Sequence, residues 1–219
     1  PILTGVHFVL SDNKELKTVA TDSHRMSQKV ITLEKNGDNF DVVIPSRSLR
    51  EFTSVFSDDI ETVEVFFANN QILFRSEHIS FYTRLLEGNY PDTDRLIPTE
   101  FNTEATFNVA NLRFAMERAR LLSNATQNGT VKLEFKNGVV SSHVHSPEVG
   151  RVNEEIDTSA VSGEDLSISF NPTYLIEALK AIDSEQVVIR FISSVRPFTL
   201  VPEGNEQGFI QLITPVRTN

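Results

Sequence analysis

Three leucines set the frame of this chain. Leu49, Leu112 and Leu175 stand 63 residues apart (112 − 49; 175 − 112), and other apolar residues keep register around them. Val42, Ala105 and Ile168 lie seven residues before, and Ile44, Phe107 and Phe170 five before. Phe52, Ala115 and Ala178 lie three after, and Phe56, Ala119 and Ile182 seven after. A step of two is strand spacing, and steps of three and four are helix spacing. Three strand-to-helix passages are therefore expected: Phe40–Ile44 into Ser46–Ser57, Ala105–Val109 into Asn111–Ser123, and Leu166–Phe170 into Thr173–Asp183. After each helix apolar residues alternate: Val63, Val65, Phe67; Val131, Leu133, Phe135; Val187, Ile189, Phe191. Asn69-Asn70 and Asn137-Gly138 supply turns. Agreement of polarity without a gap favours duplication over two unrelated domains sharing a few leucines.

The expected class is α+β, built from repeated β-α-β-β-β units with the helices on one face of antiparallel sheets. Leu3–Leu10 and Leu16–Val30 read as trailing strands of a preceding unit whose leading strand and helix are not in the sequence. Pro91 and Pro98 cannot continue a central strand, so the segment from Gly88 is expected to link two domains, 1–98 and 101–219, with a linker over 88–100. The 219 residues, 39% hydrophobic with 16 Phe, suffice for two small cores. No run of about 18 apolar residues and no signal-like N-terminus occur, which leads to the expectation of a soluble, cytoplasmic chain without membrane partners.

The formal charge of −10 argues against tight gripping of nucleic acid through phosphate neutralisation. The helices are different. Their six basic residues (Arg47, Arg50, Arg113, Arg118, Arg120, Lys180) exceed four acidic ones, Glu51, Glu117, Glu177 and Asp183. Arg47, Arg50, Arg113, Arg120 and Lys180 are expected on the side away from the sheets, as a weakly basic layer that would suit loose phosphate contacts. Ordinary solvated helix faces would give the same pattern.

Four short segments carry a resemblance. Ala20-Thr21-Asp22-Ser23-His24-Arg25-Met26 is similar to the Ala-Thr-Asp-Gly-His-Arg-Leu signature of bacterial DNA sliding clamps, the β subunits of DNA polymerase III. Ser80–Gly88 with Tyr90-Pro91-Asp92, Ile168–Leu175, and Gln211–Arg217 follow in the same order. The resemblance covers the middle and C-terminal domains of that family and implies a non-catalytic processivity factor without cofactor or metal. It implies a head-to-tail homodimeric ring around duplex DNA, independent of sequence. It also implies docking of the replicative polymerase, the clamp loader and repair polymerases through short Gln-x-x-Leu-Phe-like peptides. The peptide pocket implied between the two domains takes Leu3, Thr21, Ser23, His24, Arg25 and Met26 from the first. Pro91, Arg95 and Leu96 come from the linker, and Asn171, Tyr174, Val195 and Pro197 from the second. The last strand adds Leu212, Ile213, Thr214, Pro215, Val216 and Arg217. Leu3, Met26, Leu96, Val195, Leu212 and Val216 would desolvate a ligand's Leu and Phe. Ser23 stands where the family has glycine, Met26 where it has leucine, and Pro197 where some members have serine, which bears on pocket shape. Leu121 and Leu122, with the Val131–Phe135 strand including Leu133, are implied as the edge that meets a neighbouring protomer.

Other chemistry is thinly represented. There is no cysteine, hence no thiolate nucleophile or cysteine zinc site. In an extended strand Asp22 and His24 would share a face and Ser23 would point away, a poor relay for hydrolysis. His143 and His145 share a strand face near Glu148, a pattern that a solvated strand explains as well as a metal site. No phosphate-binding glycine motif occurs. A hydrolase using Asp22 and His24, and a peptide-binding adaptor that never encircles DNA, are the competing readings.

Overall fold

All three strand-to-helix passages form in the computed structural model, which describes residues 2–56, 60–123, 129–146, 150–206 and 208–217. The chain divides into two units, Pro1–Asp22 with Gln28–Thr93, and Ser23–Ser27 with Asp94–Asn219. The division at Thr93 falls within the span 88–100. The second unit begins upstream of residue 101, since the 3-10 turn Asp94–Leu96 groups with it.

In the first unit β1 (Gly5–Ser11), β2 (Glu15–Thr21) and β3 (Arg25–Thr32) form a meander. β4 (Phe40–Pro45) pairs antiparallel with β1, and α1 (Ser46–Val55) leaves directly from it. Pro45 has no N–H to continue the ladder, so the strand ends where the helix starts. β5 (Glu64–Ala68), β6 (Gln71–Arg75) and β7 (Ser80–Arg84) make a second antiparallel sheet. The core beneath α1 is aromatic. The Phe52 ring packs on Phe56 at 4.4 Å, Phe74 at 4.7 Å and Phe81 at 6.3 Å between centroids. Ile44 and Ile72 are buried in the same cluster. Among the described residues no strand flanks the outer side of β5, and its Val65, Phe66 and Phe67 are exposed.

The second unit holds two copies of the repeat. β8 (Thr103–Asn108), α2 (Val109–Ser123), β9 (Val131–Lys136), β10 (Val139–Ser146), β11 (Gly150–Ile156) and β12 (Ala160–Gly163) make the first. β13 (Leu166–Phe170), α3 (Pro172–Lys180), β14 (Gln186–Phe191), β15 (Phe198–Pro202) and β16 (Phe209–Ile213) make the second. The copies exchange their leading strands. β8 pairs with β14, giving the order β12-β8-β14-β15-β16, while β13 pairs with β9, giving β11-β10-β9-β13. The sequence period identifies the repeat but not this exchange, because local patterning marks a strand without naming its partner.

Alternation sends Val131, Leu133 and Phe135 of β9 and Val187 and Ile189 of β14 into one core with Phe107, Phe170, Phe191 and Phe198. α2 and α3 pack on each other within it. At the aligned positions Phe52 of α1 and Phe56 just after it correspond to Ala115 and Ala119 of α2, and to Ala178 of α3 and Ile182 just after it. Small residues such as Ala115 and Ala178 let α2 and α3 approach, whereas α1 fills its space with aromatic rings.

Candidate functional site

The segment Ser23–Ser27 groups with the second unit out of chain order. β2 ends at Thr21 and β3 begins at Arg25, so Asp22, Ser23 and His24 form a tight bend rather than the extended strand expected of them. Ser23 has φ 75. That is the left-handed region where glycine is least strained, a physical reason for the glycine in the similar signature.

Backbone hydrogen bonds hold this bend in place. The His24 carbonyl accepts from Thr214 twice, from N at 2.9 Å and from Oγ1 at 2.8 Å. Val216 N donates to the Ser169 carbonyl at 2.7 Å. Pro215 lies between them and has no N–H to leave unmade. The tail after β16 is thereby tied at Thr214 to the bend and at Val216 to β13. Phe198 faces Ile213 across the β15–β16 ladder, which sets Pro197 level with Thr214.

Asn171 caps α3, its side-chain oxygen accepting from Thr173 N at 2.9 Å, and Pro172 occupies the first turn, where a missing N–H costs nothing. The cap fixes the start of the helix and so the position of Tyr174, which packs against the unit's core. The His24 ring lies 6.2 Å from the Tyr174 ring at 16° between planes. The Arg25 guanidinium sits over the same ring, 4.7 Å from its centroid, and forms an ion pair with Glu177. Glu177 is three residues beyond Tyr174, on the same face of α3.

Of the expected peptide-binding residues, the structure brings His24, Arg25, Asn171, Tyr174, Thr214, Pro215 and Val216 into one bonded neighbourhood. Leu96, Val195 and Val216 expose apolar surface, Val195 most at 54%. Met26 and Leu212, expected as ligand contacts, are 2% and 4% exposed, and Ile213 is buried too. Leu212 and Ile213 are consecutive in β16 and so face opposite sides of the sheet, Ile213 into the core of the second unit. Arg95 and Arg217 are exposed, and Pro197 is half-buried. Leu3, Thr21 and Pro91 group with the first unit, in the 3-10 turn Ile2–Thr4, at the end of β2 and in the exposed segment after Tyr90 respectively. Glu177 was not among the expected site residues; its spacing from Tyr174 is the only sequence signal for it.

The helical cations are partly neutralised. Arg47 and Arg50 are exposed on α1, and Arg47 pairs with Glu51 at 3.1 Å. Arg113 lies 3.9 Å from Glu117, Lys180 is exposed, and Arg120 is half-buried. Arg118 pairs with Glu154 of β11, with Nε 3.3 Å from Oε2, and this hydrogen bond raises the guanidinium pKa further.

The expected edge requires a correction. Val131 and Leu133 are fully buried, and β9 lies between β10 and β13, because the exchanged leading strand occupies the place beside it. Among the described residues the end strands of that sheet are β11 and β13. Leu122 is half-buried against the core, whereas Leu121 is 71% exposed. Phe114, one heptad earlier on α2 and outside the apolar register of the repeat, is exposed as well.

On β10 the His143 ring meets Ser141 Oγ at 2.9 Å and Asn153 Oδ1 at 2.8 Å, with Glu134 at 3.6 Å. Glu148 lies outside the described residues. Among the described residues no group of three His, Cys, Asp or Glu side chains could hold a metal, and no helix is long and apolar enough to cross a membrane.

Two family descriptions match the chain end to end: the DNA polymerase III beta subunit, central domain, over residues 1–92, and its C-terminal domain over 94–217. The chain is 81% identical over 219 residues to the beta sliding clamp of Streptococcus pneumoniae TIGR4, and 55% over 221 residues to that of Lactococcus lactis. All of this chain aligns in both cases but only 58% of each relative, so the chain spans little more than half their length. Among solved structures, a Streptococcus pneumoniae DNA polymerase III beta chain superposes with a TM-score of 0.97 at 81% identity. The Bacillus subtilis sliding clamp superposes with 0.94 at 38% identity. Each alignment takes in 100% of this chain and 58% of the other. The two domain matches, in order and without overlap, establish that this chain belongs to the DNA polymerase III beta-subunit family, the bacterial sliding clamps, and carries their central and C-terminal domains.

Proposed function

We propose that this chain serves as part of a sliding clamp, a non-catalytic ring that encircles duplex DNA and docks replication and repair proteins through short peptides. The observation that carries the docking role is the neighbourhood of His24, Arg25, Asn171, Tyr174 and Thr214, which joins the signature bend to α3 and the tail. Exposed Leu96, Val195 and Val216 are the apolar side chains this reading assigns to contact with the ligand's Leu and Phe. Leu3, Thr21 and Pro91 are the expected contributors from the first domain. The partners in this reading are the replicative polymerase, the clamp loader and repair polymerases.

For the ring, the reading assigns exposed Arg47, Arg50 and Lys180, with Arg113 and Arg120, to loose phosphate contact. It assigns the β11 edge with Phe114 and Leu121 to the neighbouring protomer, since an open strand beside exposed apolar side chains is a surface that accepts another chain. In the head-to-tail ring that the resemblance implies, this edge would meet a different surface of the neighbouring protomer.

The experiment is a fluorescence titration of the chain with a labelled Gln-x-x-Leu-Phe peptide, beside the variant Val216→Asp. Val216 is exposed, so the variant keeps its fold. Saturable binding, weakened at least roughly tenfold in the variant, is the expected result, as for loss of an apolar contact in a docking site. Absence of binding by the folded chain would reject the docking role.

A further inference from the structure

We infer that Tyr90 is a positioning residue of the peptide site, a clasp that fastens the segment after β7 to β1 and β2 and so holds Leu3, Thr21 and Pro91 in one arrangement. The inference rests on the docking function proposed above. Every residue of the clasp belongs to the first unit. The segment is fixed at three points in turn. Leu86 N donates to the Val43 carbonyl of β4 at 2.8 Å. Gly88, at φ 129, carries the chain past the 3-10 turn that holds Leu3, where a Cβ at Gly88 would stand 3.8 Å from Ile2 Cδ1. Tyr90 then lays its ring on His7 of β1, with 4.6 Å between centroids and 26° between planes. His7 is itself held by Asp41 of β4, Nε2 to Oδ1 at 2.6 Å.

The phenol reaches the site residues directly. Its hydroxyl donates to the Val19 carbonyl at 3.3 Å and is hydrogen-bonded to the Thr21 backbone as well. Thr21 is the last residue of β2, and the signature bend follows it. The residue immediately before Pro91 therefore grips the strand end that feeds the bend. With the ring gone, Pro91 loses the anchor next to it and the Thr21 backbone loses a partner. A docking surface assembled from a turn, a strand end and a linker has to be ordered before the ligand arrives, because order imposed on binding is subtracted from affinity. Tyr90 and His7 supply that order, and neither has to touch the ligand to do so.

The test titrates the labelled peptide Gln-Ala-Ser-Leu-Phe against the chain and five variants, at a temperature where thermal melts show each to be folded. Tyr90→Phe keeps the stack and removes the hydroxyl, and should weaken binding roughly threefold, the size of a single hydrogen bond. Tyr90→Ala removes stack and hydroxyl together and should weaken it roughly tenfold or more. His7→Ala should weaken it roughly threefold, and His7→Phe, which restores a ring for Tyr90 to lie on, should recover the loss. Hydrogen exchange at the Thr21 amide should quicken in Tyr90→Phe without any peptide present. Ile72→Val, in the core beneath α1 and outside the clasp, lowers the melting temperature and should bind as the unaltered chain does. If the unaltered chain binds and Tyr90→Ala binds as tightly, or if Ile72→Val loses as much affinity as Tyr90→Ala, the inference is overturned and the docking role stands. If the folded, unaltered chain binds no peptide, the docking role fails and takes the inference with it.

Discussion

Ser23 is held at φ 75 in the bend that carries the signature residues. A non-glycine residue there is strained by about 1–2 kcal/mol, part of which glycine would return in the unfolded chain through its greater freedom. Ser23→Gly is expected to stabilise the protein by about 0.5–1 kcal/mol, read as a higher urea midpoint with an unchanged slope. Tyr90 gives a pH-dependent counterpart in the first unit. Its ring stacks on His7 at 4.6 Å, and its hydroxyl donates to the Val19 carbonyl at 3.3 Å. Burial raises the phenol above its ordinary 10.0, outweighing a hydrogen bond to the Thr21 backbone that lowers it. Above pH 10.0 the unfolded chain gives up this proton while the folded chain keeps it. The stability is therefore complete below pH 10.0 and falls as pH rises toward the folded value. Tyr90→Phe should lose less stability than the unaltered chain between about pH 8 and about pH 10.5, measured by urea unfolding. At this scale the sequence was legible where a motif existed. His24, Arg25, Asn171 and Tyr174 do cluster, but Glu177 had no motif, and the burial of Met26 and Leu212 depends on which way each strand faces.

Among the elements, the three helices show how one repeat adapts to two surroundings. α2 and α3 share a core and carry Ala115 and Ala178 at the position where α1 has Phe52. Ala178 is buried in that core, so Ala178→Leu should overpack it and cost about 1–3 kcal/mol, whereas Leu121→Ser on the exposed side of α2 should stay within about 0.5 kcal/mol. Parallel urea titrations of the two variants would check the contrast, and a large loss in Leu121→Ser would mean that Leu121 serves the core. Periodicity reveals strand, turn and helix because each leaves a local signature. It cannot reveal that β13 lies beside β9, so nothing in it could correct the edge position that the resemblance implied for Val131 and Leu133, which lie inside the sheet. Phe114 escaped notice for the opposite reason: it lies off the apolar register by which the repeat was recognised.

For the whole molecule, charge and connectivity act at different ranges. A surplus of acid over base opposes tight association with polyanions, while Arg47 and Arg50 on α1 and Lys180 on α3 are exposed cations. Charge balance was readable from the sequence because it needs no geometry; its pairing, as in Arg118 with Glu154, needed the fold. Connectivity has its own result in the second unit. Thr103 pairs with Phe191, 88 residues further on (191 − 103), and Ile168 reaches back to Leu133. Such closures must overcome the entropy of long loops before either sheet is rewarded, so assembly of this unit is limited by topology rather than by helix formation. Neither copy of the repeat can complete its sheet alone, and an isolated copy would offer unpaired edges to its neighbours in solution. The exchange of two strands therefore binds the two copies into one body, each lending the other the strand that completes its sheet.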